Sequence, residues 1–102
     1  MDRLRIAFSG QHLSVLYADI LRLEGDGNYT RFVLANGRKI LTSVSLGFYE
    51  KVLSKLFIRV HKHCIINRGH VQLFAKKCLT MCDGVEVAIA RRKLNRICNI
   101  SH

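Results

Sequence analysis

The spacing of turn signals constrains this chain most. Ser9-Gly10-Gln11, Gly25-Asp26-Gly27-Asn28, Asn36-Gly37, Asn67-Arg68-Gly69 and Asp83-Gly84 interrupt it at short intervals. Each favours a reversal or loop, and Asn-Gly and Asp-Gly favour the positive φ of tight hairpins. The runs between them alternate apolar and polar residues, the period of a strand with one buried face. Leu4–Phe8, His12–Tyr17, Asp19–Leu23, Tyr29–Leu34 and Lys39–Thr42 read this way in the first half. Phe57–Val60, Ile65-Ile66, Val71–Phe74, Cys78–Met81 and Val85–Ile89 follow. The count is about nine strands. The period changes after Ser45, where Leu46, Tyr49, Val52, Leu53 and Leu56 recur at three and four, so one short amphipathic helix with Ser45 as N-cap is expected. Leu94, Ile97 and Cys98 favour a closing helical turn within 91–100. The class is therefore mainly β, with one or two short helices.

Length and charge narrow the function. The chain has 102 residues, enough for one small domain over 1–102. No repeat, linker or low-complexity tract divides it. Lys and Arg number 17 and Asp and Glu 7, a formal charge of +10. On so small a body that field calls for an anionic partner: nucleic acid, an acidic protein or a lipid surface. Proline is absent, which excludes a polyproline segment. No run approaches the ~18 apolar residues of a membrane span, and the start is too short for a signal peptide, so a cytoplasmic location is expected. Cys64, Cys78, Cys82 and Cys98 then read as free thiols in a reducing compartment.

Catalytic and metal chemistry find little support. No GxSxG, P-loop or HExxH pattern occurs. Glu24, Asp26 and Asn28 could be part of a calcium loop, but a solvated turn fits better. His61, His63, Cys64, His70, Cys78 and Cys82 are zinc-ligand types. If Cys78 and Cys82 share a strand they sit ~13 Å apart, whereas two sulfurs on one zinc lie within about 4 Å. Cys64 beside His63 could be an activated thiolate, but the sequence offers no third group to orient the pair. The expectation is no enzyme, no cofactor and no metal.

The basic residues cluster instead. Asn28, Thr30 and Arg31 surround the glycine-rich loop. Arg59, His61, Lys62 and His63 line one extended stretch, with Asn67 and Arg68 beyond. Arg91, Arg92 and Lys93 come near the end, followed by Arg96. Single lysines are explained by solubility, but clusters at strand ends suit phosphate binding and groove reading. Three other readings stay open: a single-stranded nucleic-acid module using aromatic platforms, a redox- or metal-responsive switch using the His/Cys cluster, and an adaptor for an acidic protein.

The order of pieces resembles the LytTR DNA-binding domain, from about residue 4 to 98. Asp19–Glu24, Gly27-Asn28-Tyr29-Thr30, Asn36-Gly37 and Ser45-Leu46 resemble its first half. Phe57-Ile58-Arg59-Val60-His61-Lys62-His63-Cys64-Ile65-Ile66-Asn67 resembles its central signature, with His63 where Ser is usual and Cys64 where an aromatic is usual. Asp83-Gly84 through Arg92 resembles the closing hairpin, with Ala90 where Ser is usual. The resemblance implies an elongated β-sandwich of about ten strands. It implies a bacterial transcription regulator whose loops enter successive major grooves of double-stranded DNA, often at direct repeats, with a homodimer on DNA as one arrangement. Thr30, Lys62 and Arg92 would face bases, Arg91 would match the closing motif, and His61 and Asn67 would brace the loops. Family members usually carry a receiver or sensor. None accompanies this sequence, which reads as a free-standing or excised domain with a separate receiver or sensor as a further expected partner.

Overall fold

Alternating side chains in the central strands supply two cores, one on each face of a single sheet. The structure, a computed structural model, describes residues 3–53 and 55–91. In chain order the elements are β1 (Arg3–Phe8), β2 (Gln11–Leu16), β3 (Ile20–Asp26), β4 (Tyr29–Leu34), β5 (Lys39–Thr42), α1 (Leu46–Val52), β6 (Phe57–His61), β7 (Cys64–Asn67), β8 (Val71–Phe74), β9 (Cys78–Met81) and β10 (Glu86–Ala88). Single 3-10 turns cover Tyr17–Asp19 and Arg68–His70. The strands form three antiparallel sheets. A five-stranded sheet has the order β5-β4-β3-β7-β6, a hairpin pairs β1 with β2, and a three-stranded sheet has the order β10-β9-β8. The long axis is 41 Å against 25 and 24 Å across. The mainly β, elongated, roughly ten-stranded architecture expected from the sequence is thus what forms.

On one face, Leu23, Phe32, Ile40 and Ile65 pack with Leu4, Ile6 and Val15 of the hairpin and Leu46 and Tyr49 of α1. Phe32 meets Tyr49 edge to face at 4.9 Å. On the other face, Leu21, Val33, Val60, Cys64 and Ile66 pack with Leu79, Met81, Val87 and Ile89. All four residues of β7 are buried, as a strand covered on both sides requires. Register shifts between Ile20 and Arg22 and between Arg59 and His61 mark bulges. Each re-aims the residues that follow it.

The structure corrects several details of the turns. Gly25 and Asp26 are part of β3, because the hairpin to β4 is tight and pairs Asp26 with Tyr29. At the β4–β5 loop only Gly37, not Asn36, has positive φ. That loop and the β9–β10 loop are built alike. Leu34 N donates to Arg38 O and Gly37 N to Leu34 O. Likewise Met81 N donates to Val85 O and Gly84 N to Met81 O. Each is a three-residue loop closed by a left-handed glycine, at φ 88° and 87°. The Asx side chain accepts the backbone N–H two residues on, as Asn36 from Arg38 and Asp83 from Val85. Cys82 therefore lies in this loop, beyond the end of β9, and does not share a strand with Cys78. Ser45 precedes α1 in extended conformation, but its hydroxyl makes no capping bond. The expected closing helical turn, with Arg92 and Lys93, lies outside the described residues.

Phe32 is fully buried and stacked on the helix. We expect Phe32→Ala to lower the unfolding free energy by about 3–5 kcal/mol, measured by urea titration with the slope of the transition unchanged.

Candidate nucleic-acid interface

Sheet register gathers most of the sequence clusters at one end of the molecule, while Asn67 pairs with Phe57 and bonds Tyr17 O and Ile20 O at the opposite end of the central sheet. A row of partners crosses the central sheet from Leu41 through Arg31, Glu24 and Cys64 to His61. The next row outward joins Thr42, Thr30 and Gly25, and Gly25 N donates to His63 O at 2.8 Å. The β3–β4 turn, with Asn28, and the β6–β7 turn, with Lys62 and His63, therefore lie side by side. Ala90 N donates to Val60 O at 2.7 Å, which brings Arg91 to the same end. Gly25 permits the close fit. A Cβ there would stand 3.1 Å from both Cβ and Cδ2 of Leu46 at the start of α1.

The candidate residues divide by exposure. Asn28, Arg31, Lys62, His63 and Arg91 are exposed. Thr30 is fully buried, and its hydroxyl donates to Val44 O at 2.6 Å, so its side chain secures the chain after β5 and does not face outward to a base. Asn67 is also buried. Its Nδ2 donates to Tyr17 O and Ile20 O, and its Oδ1 accepts from Gly69 N at 2.8 Å. Arg59 turns to the α1 face, where it donates to Glu50 at 2.9 Å and to Lys62 O at 2.7 Å. It thereby fixes the backbone of the β6–β7 turn. His61 Nδ1 accepts from His63 N at 3.0 Å within the same turn. Arg92 and Lys93 lie outside the described residues.

Sequence reading missed the ion network beneath this surface. Arg22 is buried. Its Nε donates to Glu24 at 2.9 Å and its Nη1 to Asp83 at 3.0 Å, across to the β9–β10 loop. Burial alone would loosen its proton, but the hydrogen bonds and charges of Glu24 and Asp83 outweigh that and raise its pKa. For Asp83 burial pushes the carboxyl up, and the bonds from Arg22 and Val85 N–H overcome it, leaving the pKa below the ordinary value. Both carboxylates keep about a third of their exposure, so they remain hydrated and the guanidinium is not left uncompensated. The available signal was a lone arginine inside the apolar run Ile20-Leu21-Arg22-Leu23. Glu24 also contacts Arg31, at 3.4 Å and with Arg31 half exposed, a geometry worth little in water. Among the described residues no carboxylate pairs with Lys62 or Arg91, so their charges are open to an external anion.

The cysteines and histidines form no metal site: among the described residues no three His, Cys, Asp or Glu side chains are grouped to hold an ion. Burial, with Glu24 nearby, pushes the Cys64 thiol up to about 12, so it is a protonated core residue and not an activated nucleophile. Among the described residues no helix is long and apolar enough to cross a membrane.

Comparison with known proteins agrees with this geometry. The family model of the LytTr DNA-binding domain matches residues 10–101. The fold is similar to the solved LytTr DNA-binding domain of a protein described as a methyl-accepting/DNA response regulator from Bacillus cereus. That match has a TM-score of 0.82 at 19% identity and covers 99% of this chain and 97% of the other. No curated protein matches the sequence.

Two consequences can be measured. Burial first, then the charges of His63 and Arg59, hold the His61 pKa below its ordinary value. Protonation at Nδ1 would also break the bond from His63 N. The unfolded chain therefore takes up this proton first as pH falls below ~6.5. Stability linked to His61 is full above that pH and is lost as pH falls toward the folded-state value. Thermal midpoints between pH 7.5 and 5 should show this decline, and His61→Gln should flatten it. Asn67→Ala should cost about 1–3 kcal/mol in urea unfolding, because it removes the side-chain donor to the buried Ile20 carbonyl.

Proposed function

This chain belongs to the LytTR family of DNA-binding domains, and on that premise we propose that it binds double-stranded DNA sequence-specifically as a bacterial transcription regulator. The convergence of three segments at one end of a rigid sheet carries the reading: the β3–β4 turn with Arg31 beside it, the β6–β7 turn with Lys62, and the segment entered at Arg91. The backbone bonds Gly25 N to His63 O and Ala90 N to Val60 O hold them together.

Binding has two physical parts. The +10 charge draws the duplex and releases condensed counterions, with a slope of about −0.9 in log K per log salt for each phosphate neutralised. Lys62, His63 and Arg91 are the first phosphate partners. Arg31 joins them by exchanging its weak contact with Glu24. Base reading then falls to Asn28 and Lys62 on the exposed turns and to Arg92, whose fork suits guanine. Thr30, Arg59 and His61 act behind this surface as supports, Asn67 steadies the opposite end of the sheet, and Lys93 adds charge to the closing segment. The proposed arrangement is loops in successive major grooves at direct repeats, with a second copy of the chain on the second repeat.

Selection of bound duplexes from a random pool tests the proposal. A recurring motif should emerge, and the selected duplex should outcompete single strands of the same sequence. Arg91→Ala should weaken binding to all duplexes about equally and reduce the salt slope by about 1. Arg92→Ala should weaken the selected site more than random DNA. A pool without enrichment, or preference for single strands, would overturn the reading.

A further inference from the structure

Away from the cationic end, three elements bring a thiol, an imidazole and a carbonyl into line. Cys82 opens the β9–β10 loop and is exposed. Its Sγ lies 3.5 Å from Nδ1 of His70, in the 3-10 turn before β8. The other ring nitrogen, Nε2, is 2.5 Å from Ala18 O, in the 3-10 turn before β3. A carbonyl only accepts, so Nε2 holds the proton and Nδ1 presents its lone pair to the thiol. The backbone fixes the pair, because Cys82 N donates to His70 O at 2.8 Å. Asp83, the next residue, is anchored by Arg22. A nucleophile open to solvent, a base beside it and a third group setting the tautomer of that base are the parts that activate a thiol. Of the other described cysteines, Cys64 is buried and Cys78 is half-buried, and neither has an imidazole hydrogen bond among the described residues.

We propose that Cys82 is a thiol-modification site, oxidised by hydrogen peroxide to a sulfenic acid with His70 as its general base. The proton passes from Sγ to Nδ1 as the sulfur attacks one peroxide oxygen. The S–O bond forms and the O–O bond breaks. The departing hydroxide recovers the proton from Nδ1 and leaves as water. Sulfur loses two electrons and the peroxide gains them, so one thiol and one peroxide give one sulfenic acid and one water. The added oxygen sits one residue from the carboxylate that holds Arg22, at the junction of two sheets. This inference does not depend on DNA binding.

The test uses the intact chain at pH 7, limiting hydrogen peroxide, and a dimedone trap read cysteine by cysteine by mass spectrometry. Cys82 should be trapped about tenfold faster in the folded chain than in the same chain unfolded in urea. His70→Gln keeps a donor for Ala18 O but removes the base, and it should slow Cys82 by about tenfold, the lower end of what a positioned base supplies, with the circular dichroism spectrum unchanged. Equal rates for folded and unfolded wild-type chain would overturn the proposal, as would a folded His70→Gln variant that reacts as fast as wild type. If that variant does not fold, the wild-type comparison decides alone.

Discussion

Everything in this molecule depends on a central sheet that is apolar on both faces. A sheet with one wet face needs one partner layer. This one needs two, and the chain supplies them in order, with β1–β2 before the sheet and β8–β10 after it. Neither outer layer is a sheet partner of the central one, so side-chain packing does most of the joining. That makes the alternation along β3 and β7 decisive. Ile65 belongs to one core and Ile66 to the other, and a slip of one residue would exchange them.

Charge is divided between inside and outside. Arg22, the buried cation, is matched by Glu24 and Asp83, and those same acids are thereby withdrawn from the surface above. Seven carboxylates serve the whole chain, and Glu50 is likewise engaged by Arg59. Two of the acids near the sheet end, Glu24 and Glu50, are engaged by Arg22 and Arg59, which leaves Lys62 and Arg91 without an acidic partner among the described residues. Fold stability and surface potential thus draw on one small set of residues.

The strands, the helix after Ser45 and the hairpin loops were legible in the sequence because each rests on neighbours within a few positions. The cluster from Arg59 to His63 reads in sequence as one extended stretch, whereas the chain turns at Lys62-His63 between β6 and β7. What was not legible depends on distant pairing. Thr30, expected to face a base, is instead buried with its hydroxyl on Val44 O. Nothing local links Arg22 to Asp83, 61 positions away. The Cys82–His70–Ala18 alignment needs three separate turns to meet, and the sequence read Cys82 as part of a strand with Cys78. The resemblance to LytTR domains supplied the global order but could not say which matching residues face outward.

Gly25 sits where these dependencies cross. Its missing side chain lets Leu46 settle against the sheet, while its N–H ties the two turns together. A methyl group there would press on Leu46 at 3.1 Å, and the start of the helix would have to give by a few tenths of an ångström. The chemistry of the turn tips and the fit behind them are thus separable, and only the fit draws on a missing side chain.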